Sequence, residues 1–474
     1  MKVKDINKID YLQYEPRMEP NEAGKLNYKR TAIISLAFFT VLMAWAYFNF
    51  KVPLLLKDVL KLPIGEEFIV GAIMAMDNIV AVILQPYFGD LSDRTKSKFG
   101  RRMPFIIIGT LASAVFFAVI PWIRVIAGLI IIILLFDVAM SVYRSASIAI
   151  LPDYTDGKVY SKASALQQFI ANMGSLVGFL MPRFFPDTYF GDGFAFMTIS
   201  IMMVLLLIVQ NIFIKETPTG EGFLKISDKR LDIDPITFKP VELDKGASLD
   251  KPIERKRFSS YGEAFRIMKK DKDFAYFLGT VIFMYLAFAS VETFFSLFCQ
   301  DYLGISEAQS STLFLFYSGP MIAVAFFVGL VGQSKRIGRK NAVKIFLTWL
   351  LISVLIMSII VVPLYQNHNE LLMIIMLIMV AVPWMGFIVN SFPILWQLAP
   401  EGDVGIYTGI YYTFNQSAYA LAPILFGGLL SAFYIPLPNG LNYIIMFPFI
   451  LICSVIAYIL FFKVKGGEAP DSTK

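Results

Sequence analysis

Apolar runs of about twenty residues recur along this chain, and about twenty is what an α-helix needs to cross the hydrocarbon core of a bilayer. One run reads IVGAIMAMDNIVAVILQPYF and the next IIIGTLASAVFFAVIPW, with the charged link GDLSDRTKSKFGRRMPF between them. The pattern predicts twelve helical spans, at 31–58, 66–90, 103–121, 124–150, 162–186, 194–214, 274–299, 309–332, 341–363, 371–397, 404–432 and 441–463. Pro53, Pro86, Pro393 and Pro423 fall inside spans. Membrane helices tolerate such breaks because neighbouring groups re-satisfy the freed backbone. The polar remainder predicts a tail over 1–30 with no cleavable signal pattern, a linker over 215–272, and a second tail over 464–474. A short amphipathic helix is expected at YGEAFRIMKK, near the end of the linker.

Composition supports the membrane reading. Of 474 residues, 57% are hydrophobic and 16% charged, with a mean hydropathy of +0.64. A soluble chain of this length does not hide so much apolar surface. The net charge of +6 does not indicate nucleic acid, because the charges lie in the links and form no basic face. They set orientation instead, since Lys and Arg collect on the cytoplasmic side. An even number of spans puts both ends on one side. That side gathers the tails, the 91–102 link, the links near 158–162 and 335–344, and the linker, which hold most of the basic residues. Both termini are therefore expected in the cytoplasm of a multi-pass protein of the cell membrane.

The linker splits the spans six and six, giving bundles over 31–214 and 273–463, and the halves repeat. SDRTKSKFGRR after the second span has a counterpart in GQSKRIGRK after the eighth, and LPDYTDGKVYSKASALQQF lines up with LAPEGDVGIYTGIYYTFNQ. The expected fold is all-α: twelve transmembrane helices in two pseudo-symmetric six-helix bundles. Such repeats mark many secondary transporters, whose site lies between the halves near the midplane.

The pattern G-x-L-S-D-R-x-x-S-x-x-G-R-R-x-P-F over 89–105, with LQP just upstream, resembles the link between spans two and three of major facilitator sugar transporters. Closest are the plant-type sucrose/proton symporters and their bacterial relatives, near the glycoside–pentoside–hexuronide:cation symporters. FDVAMSVYRSASIAILPD, SVETFFSLFCQDYLGIS and NSFPILWQLAP resemble spans four, seven and ten of that group. VGIYTGIYYTFNQSAYALAPILFGG resembles span eleven. The arginine that the sucrose group carries about five residues before the closing aspartate of span four would fall on Ile148; here it stands one turn earlier, as Arg144. The resemblance implies alternating-access uptake of a sugar or glycoside with a cation, H⁺ ahead of Na⁺, by a carrier that works as a monomer in the bilayer.

Within that frame the charged link gains a mechanical role. Asp93 is placed to accept bonds from backbone N–H groups at a helix start or to pair with Arg101 or Arg102, latching the cytoplasmic mouth. Arg94 adds charge there, while Gly89 and Gly100 allow close approach and a tight turn. The second-half copy offers Gln333–Ser334 where the aspartate would stand. A plain topology signal explains the same positive charge.

Ionisable groups inside spans are costly and mark pathways. Here they are Lys51, Asp77, Asp137, Arg144 and Glu292, with the amides Asn49, Asn78, Asn390, Asn415 and Gln416. Asp137 and Arg144 share a helix face about 10.5 Å apart, too far to touch unless the arginine reaches back, so a substrate could sit in the gap. They could equally be a structural pair. Asp77, with Asn78, is the expected coupling site, because desolvation lets a carboxylate take up a proton; it could also ligate Na⁺ or simply accept a bond from a neighbouring helix. Sugars present apolar C–H faces, which makes Trp45, Tyr47, Tyr143, Trp384, Tyr411 and Tyr412 candidates. Tyr411 has Asn415 in i,i+4 register beside it. The repeat register that aligns Asp58 with Asp301 aligns Asn49 with Glu292. It suggests that Lys51 and Glu292 form a cross-half gate, against the alternative that Lys51 snorkels to the headgroups.

No phosphate-cradling loop, zinc spacing or nucleophile motif points to an enzyme, and neither a metal nor a cofactor is expected. Cys299 and Cys453 have no paired spacing, and His368, the single histidine, lies in a link. Two alternatives share these features: an exporter of a drug or metabolite, whose expected span-five motif is replaced by QQFIANMGSLVGF, and a membrane sugar sensor that does not transport.

Overall fold

The structure, a computed structural model, describes residues 26–61, 67–95, 97, 99–153, 160–185, 188–214, 231–233, 240–242, 261–334, 336–361, 370–400, 404–433 and 441–467. Among the described residues twelve long helices form the body. The first six are α1 (Tyr28–Leu60), α2 (Glu67–Arg94), α3 (Met103–Val119), α4 (Ile126–Asp153), α5 (Tyr160–Phe184) and α6 (Tyr189–Phe213). The second six are α7 (Lys272–Leu297), α8 (Glu307–Gln333), α9 (Arg339–Ile356), α10 (Glu370–Leu398), α11 (Val404–Ala432) and α12 (Met446–Phe462). Among the described residues nine of the helices are long and apolar enough to cross a membrane. The expected amphipathic helix is present at Tyr261–Lys270. Two three-residue strands, Leu231–Ile233 and Pro240–Glu242, pair antiparallel.

Local signals explain where helices start. The Asn27 side chain accepts from Arg30 N at 3.0 Å and caps α1, satisfying a donor that the first turn leaves free. Asp271 does the same for α7 through Phe274 N at 3.0 Å. At α8, Ser306 and Gln309 form a reciprocal capping box. Pro104 opens α3, where a missing N–H costs nothing. Between α2 and α3, Gly100 has φ +89°, a left-handed backbone that favours glycine.

Along the spans one face is apolar and bare, with Ile83, Ile108, Val115, Ile201 and Leu205 exposed, as a bilayer-facing surface requires. Inside, α1 packs against α5 and α6, and α3 against α4 and α6; in the second half α7 packs against α12 and α9 against α10. The halves meet where α2 packs on α11 and α5 on α8. The α2–α3 link marks the basic end of the molecule, and the opposite end is the far end.

Candidate transport site

The far end is shut. Lys51, two turns from the end of α1, is 2% exposed. Its ammonium lies 2.7 Å from Asp192 of α6 and 2.5 Å from Glu307 of α8. Both carboxylates stand in the first turn of their helices, where the helix dipole favours negative charge. Asp192 belongs to the same half and Glu307 to the other, so one lysine ties the halves together. A second cross-half ion pair joins Lys57 to Asp301. Phe68 N donates to Ser431 Oγ at 3.3 Å. At Gly71 the α2 backbone sits so close to the Pro423 carbonyl that a Cβ would collide with it. The apolar core shows the same asymmetry: one buried cluster runs from the first half into Phe294, Phe295 and Phe298 at the far end of α7. The basic-end part of the second half forms a separate cluster around Phe277, Phe387 and Tyr411.

Below this seal lies a cavity of about 270 Å³. Trp45 of α1, Asn172 and Ser175 of α5, Glu292 of α7, Tyr317 of α8, Trp384 of α10 and Tyr419 of α11 line its central part. Phe288 stacks on Trp384 with ring centroids 4.5 Å apart and planes 4° from parallel. Across the halves, Asn49 Nδ2 donates to Glu292 Oε1 at 2.9 Å. The two residues that the repeat register aligns thus meet at the interface. Arg144 lies over the Trp45 ring, 5.5 Å from its centroid, and feels the carboxylates of Asp77 and Glu292.

The expected Lys51–Glu292 gate is corrected by this arrangement. Glu292 takes Asn49, and Lys51 takes Glu307 and Asp192. Each helical residue turns about 100°, so two residues separate Asn49 and Lys51 by about 200° and aim them at opposite sides. The snorkelling alternative also falls, since Lys51 is enclosed by its two acids.

Asp137 and Asp77 are both buried, and Asp137 feels the Asp77 carboxyl across the packed α2 and α4. Asp77 accepts from the backbone and side chain of Asn78. Neither carboxylate oxygen of Asp137 has a hydrogen-bond partner among the described residues. The charges that act on Arg144 include Asp77 and Glu292 and not Asp137, so the alternative, a structural Asp137–Arg144 pair, is not formed.

Other expected site residues sit elsewhere. Tyr143 is fully buried in the first half and donates to the Ala37 carbonyl at 2.6 Å, with Thr40 alongside. Asn390 donates to the carbonyls of Gly386 at 2.8 Å and Val328 at 3.2 Å, tying α10 to α8. Tyr411 packs against Phe277 and Phe392 in the second-half core, with Asn415 and Tyr285 nearby. None of the three lines the cavity. In the basic link, Arg102 bonds Ser92, and a Cβ at Gly89 would press on Ser145 Oγ at 3.2 Å. The side chains of Asp93 and Arg94, and residue His368, lie outside the described residues. Sequence reasoning missed Asn172, Ser175, Tyr317, Tyr419, Asp192 and Glu307. For Asn172 and Ser175 the signal was present, as polar residues in the otherwise apolar QQFIANMGSLVGF.

Residues 33–423 match the Major Facilitator Superfamily. This chain belongs to that superfamily. Comparison of its sequence with curated proteins gives no match. Solved structures of similar fold include a bacterial homologue of the human lysosomal transporter Spinster in an inward-facing, unoccupied conformation. It is 12% identical, with a TM-score of 0.64 over 92% of this chain and 97% of that one. The nucleoside transporter NupG is 12% identical, with a TM-score of 0.63 over 93% and 100% of the two chains. At such identity the likeness is one of fold. The chain is a multi-pass membrane protein with the architecture of a secondary transporter.

Proposed function

We propose that this Major Facilitator Superfamily chain takes up a sugar or glycoside together with a cation, H⁺ ahead of Na⁺, by alternating access. The observation that carries the reading is Asp137, buried with neither oxygen bonded among the described residues and with a second buried carboxyl, Asp77, as its neighbour. An ionised carboxylate so placed is heavily penalised. A bound proton or cation removes the penalty, and releasing it on the other side of the membrane restores it, which is what coupling needs. The substrate class is supported by the central cavity, where Trp45, Trp384, Tyr317 and Tyr419 surround Glu292, Asn172 and Ser175. Flat rings suit the C–H faces of a sugar, and the polar groups suit its hydroxyls. In this reading the basic end is cytoplasmic, both termini lie there, the protein sits in the cell membrane, and one chain suffices for transport.

The test is counterflow in proteoliposomes preloaded with a panel of sugars, glycosides and nucleosides, followed by accumulation under an imposed pH or Na⁺ gradient. At least one sugar or glycoside should exchange, and an inward cation gradient should concentrate it. Exchange confined to nucleosides or cationic drugs, or indifference to both gradients, would overturn the reading.

A further inference from the structure

The cavity does not end at its central part. It continues into the second half as a recess between α7, α9, α10 and α12, walled by Met284, Val291, Val354, Met357, Val380 and Ile450. At the matching place in the first half, among the described residues, rings are packed together. There Tyr47, Phe117, Phe136 and Phe196 of α1, α3, α4 and α6 fill the bundle. The Tyr47–Phe196 and Phe117–Phe196 centroids are 4.9 and 4.6 Å apart, and Phe117–Phe136 are 5.2 Å apart. The register that pairs Asn49 with Glu292 pairs Tyr47 with Ser290 and Phe48 with Val291. Two rings in one half are therefore a hydroxymethyl and an isopropyl group in the other, and of these two smaller side chains Val291 lines the recess.

Interiors are close-packed, and a void forfeits the contacts its walls would make. An apolar space that opens on a substrate cavity regains those contacts when a ligand enters. Methionine walls adapt their shape to what they receive. The recess also holds one polar group with nothing to bond. Ser454 is 1% exposed and lines the cavity, and its Oγ has no hydrogen-bond partner among the described residues.

We infer that the recess receives an apolar aglycone, so that the carried substrate is an alkyl or aryl glycoside rather than a free sugar. The inference rests on the sugar reading above and narrows it. The sugar ring stays at the mouth, among Trp45, Glu292 and Trp384, while the aglycone passes Val291 toward Val354 and Ile450. Ser454 then serves an ether or phenol oxygen deep in the recess.

The test is a chain-length series of methyl, propyl and pentyl glucosides and galactosides, bound to the full chain in lipid nanodiscs. Each methylene moved from water into the recess should tighten binding about fourfold, so each two-carbon step gains roughly fifteenfold until the recess is full. Val354→Phe fills the recess from α9, and Val291→Phe installs the residue that the first half carries at the matching place. Either variant, shown folded by its thermal transition, should flatten the series. A methyl glycoside that binds with no gain along the series overturns the aglycone inference and leaves the sugar reading standing. A gain that survives both substitutions does the same, because it then arises in the lipid. Failure of every member to bind overturns both.

Discussion

The two six-helix halves share a fold and divide the chemistry. The first half is filled by rings at its centre and carries Asp77, Asp137 and Arg144. The second half is hollow at the corresponding place and brings Glu292 to the interface. Burying three ionisable groups needs a rigid surround, which the Tyr47–Phe117–Phe196 packing supplies. Accepting a shaped ligand needs space and adaptable walls, which Met284 and Met357 supply. One repeat thus holds charge and the other holds shape. They communicate where Arg144, over Trp45, feels both Asp77 and Glu292. In the transport reading proposed above, the cation would be read by the first half and the substrate's apolar tail by the second.

The largest expected effect separates those roles. Asp77→Asn and Asp137→Asn should each abolish accumulation against a gradient while leaving exchange at equal concentrations, because exchange moves no net cation. Glu292→Gln should do the reverse, weakening substrate binding while what is bound still responds to the gradient. Uptake driven by a pH or Na⁺ gradient, set beside counterflow in the same vesicles, decides. If Glu292→Gln loses the gradient response and the aspartate variants keep it, the assignment of the halves is inverted.

The twelve-helix body was legible in the sequence because each span carries its own hydropathy and its own caps, which need no partner to be read. The repeat register put Glu292 opposite the end of α1, but the residue it was expected to meet there was Lys51, and the contact is made by Asn49. The partners of Lys51 were not legible. Asp192 and Glu307 each stand two residues before the spans expected at 194–214 and 309–332, so they read as link residues, and their helices begin earlier than the apolar runs do. Tyr143 failed for a different reason. Its hydroxyl is consumed by a carbonyl on α1, and nothing in a single sequence says which helix lies beside which.

A smaller effect is expected where the halves are clamped. Lys51→Met leaves Asp192 and Glu307 facing each other without their cation, and losing one partner of a buried pair costs roughly 3–5 kcal/mol. That cost falls on the state closed at the far end, so the population should move toward opening there. Glu307→Gln should move it less, since Asp192 still neutralises Lys51 within the first half. Spin-label distances between the far ends of α1 and α7 measure the shift. Unchanged distances in Lys51→Met would mean that the apolar packing around Phe294 and Phe298 holds the far end shut without the ion pair.

The smallest effect tests the filled and hollow centres themselves. Phe117 is fully buried, with rings of Tyr47, Phe136 and Phe196 around it. Phe117→Ala opens a cavity among rigid neighbours that cannot collapse into it, at a cost of about 3–5 kcal/mol. Met357, the residue that caps the corresponding helix of the second half, already borders the recess. Its truncation removes contacts on one side and enlarges a space that exists, so Met357→Ala should cost about 2 kcal/mol, the low end for such a truncation. Thermal unfolding of both variants in one detergent gives the comparison. The substrate sharpens it: a saturating glycoside with an apolar tail should stabilise the wild-type chain more than Met357→Ala, whose widened recess grips the tail less. It should shift the Phe117→Ala transition as much as the wild type's, because that cavity lies away from the recess that holds the tail. Equal losses in the two variants would mean that the second half is as tightly packed as the first, and the division between the repeats would fail at its base.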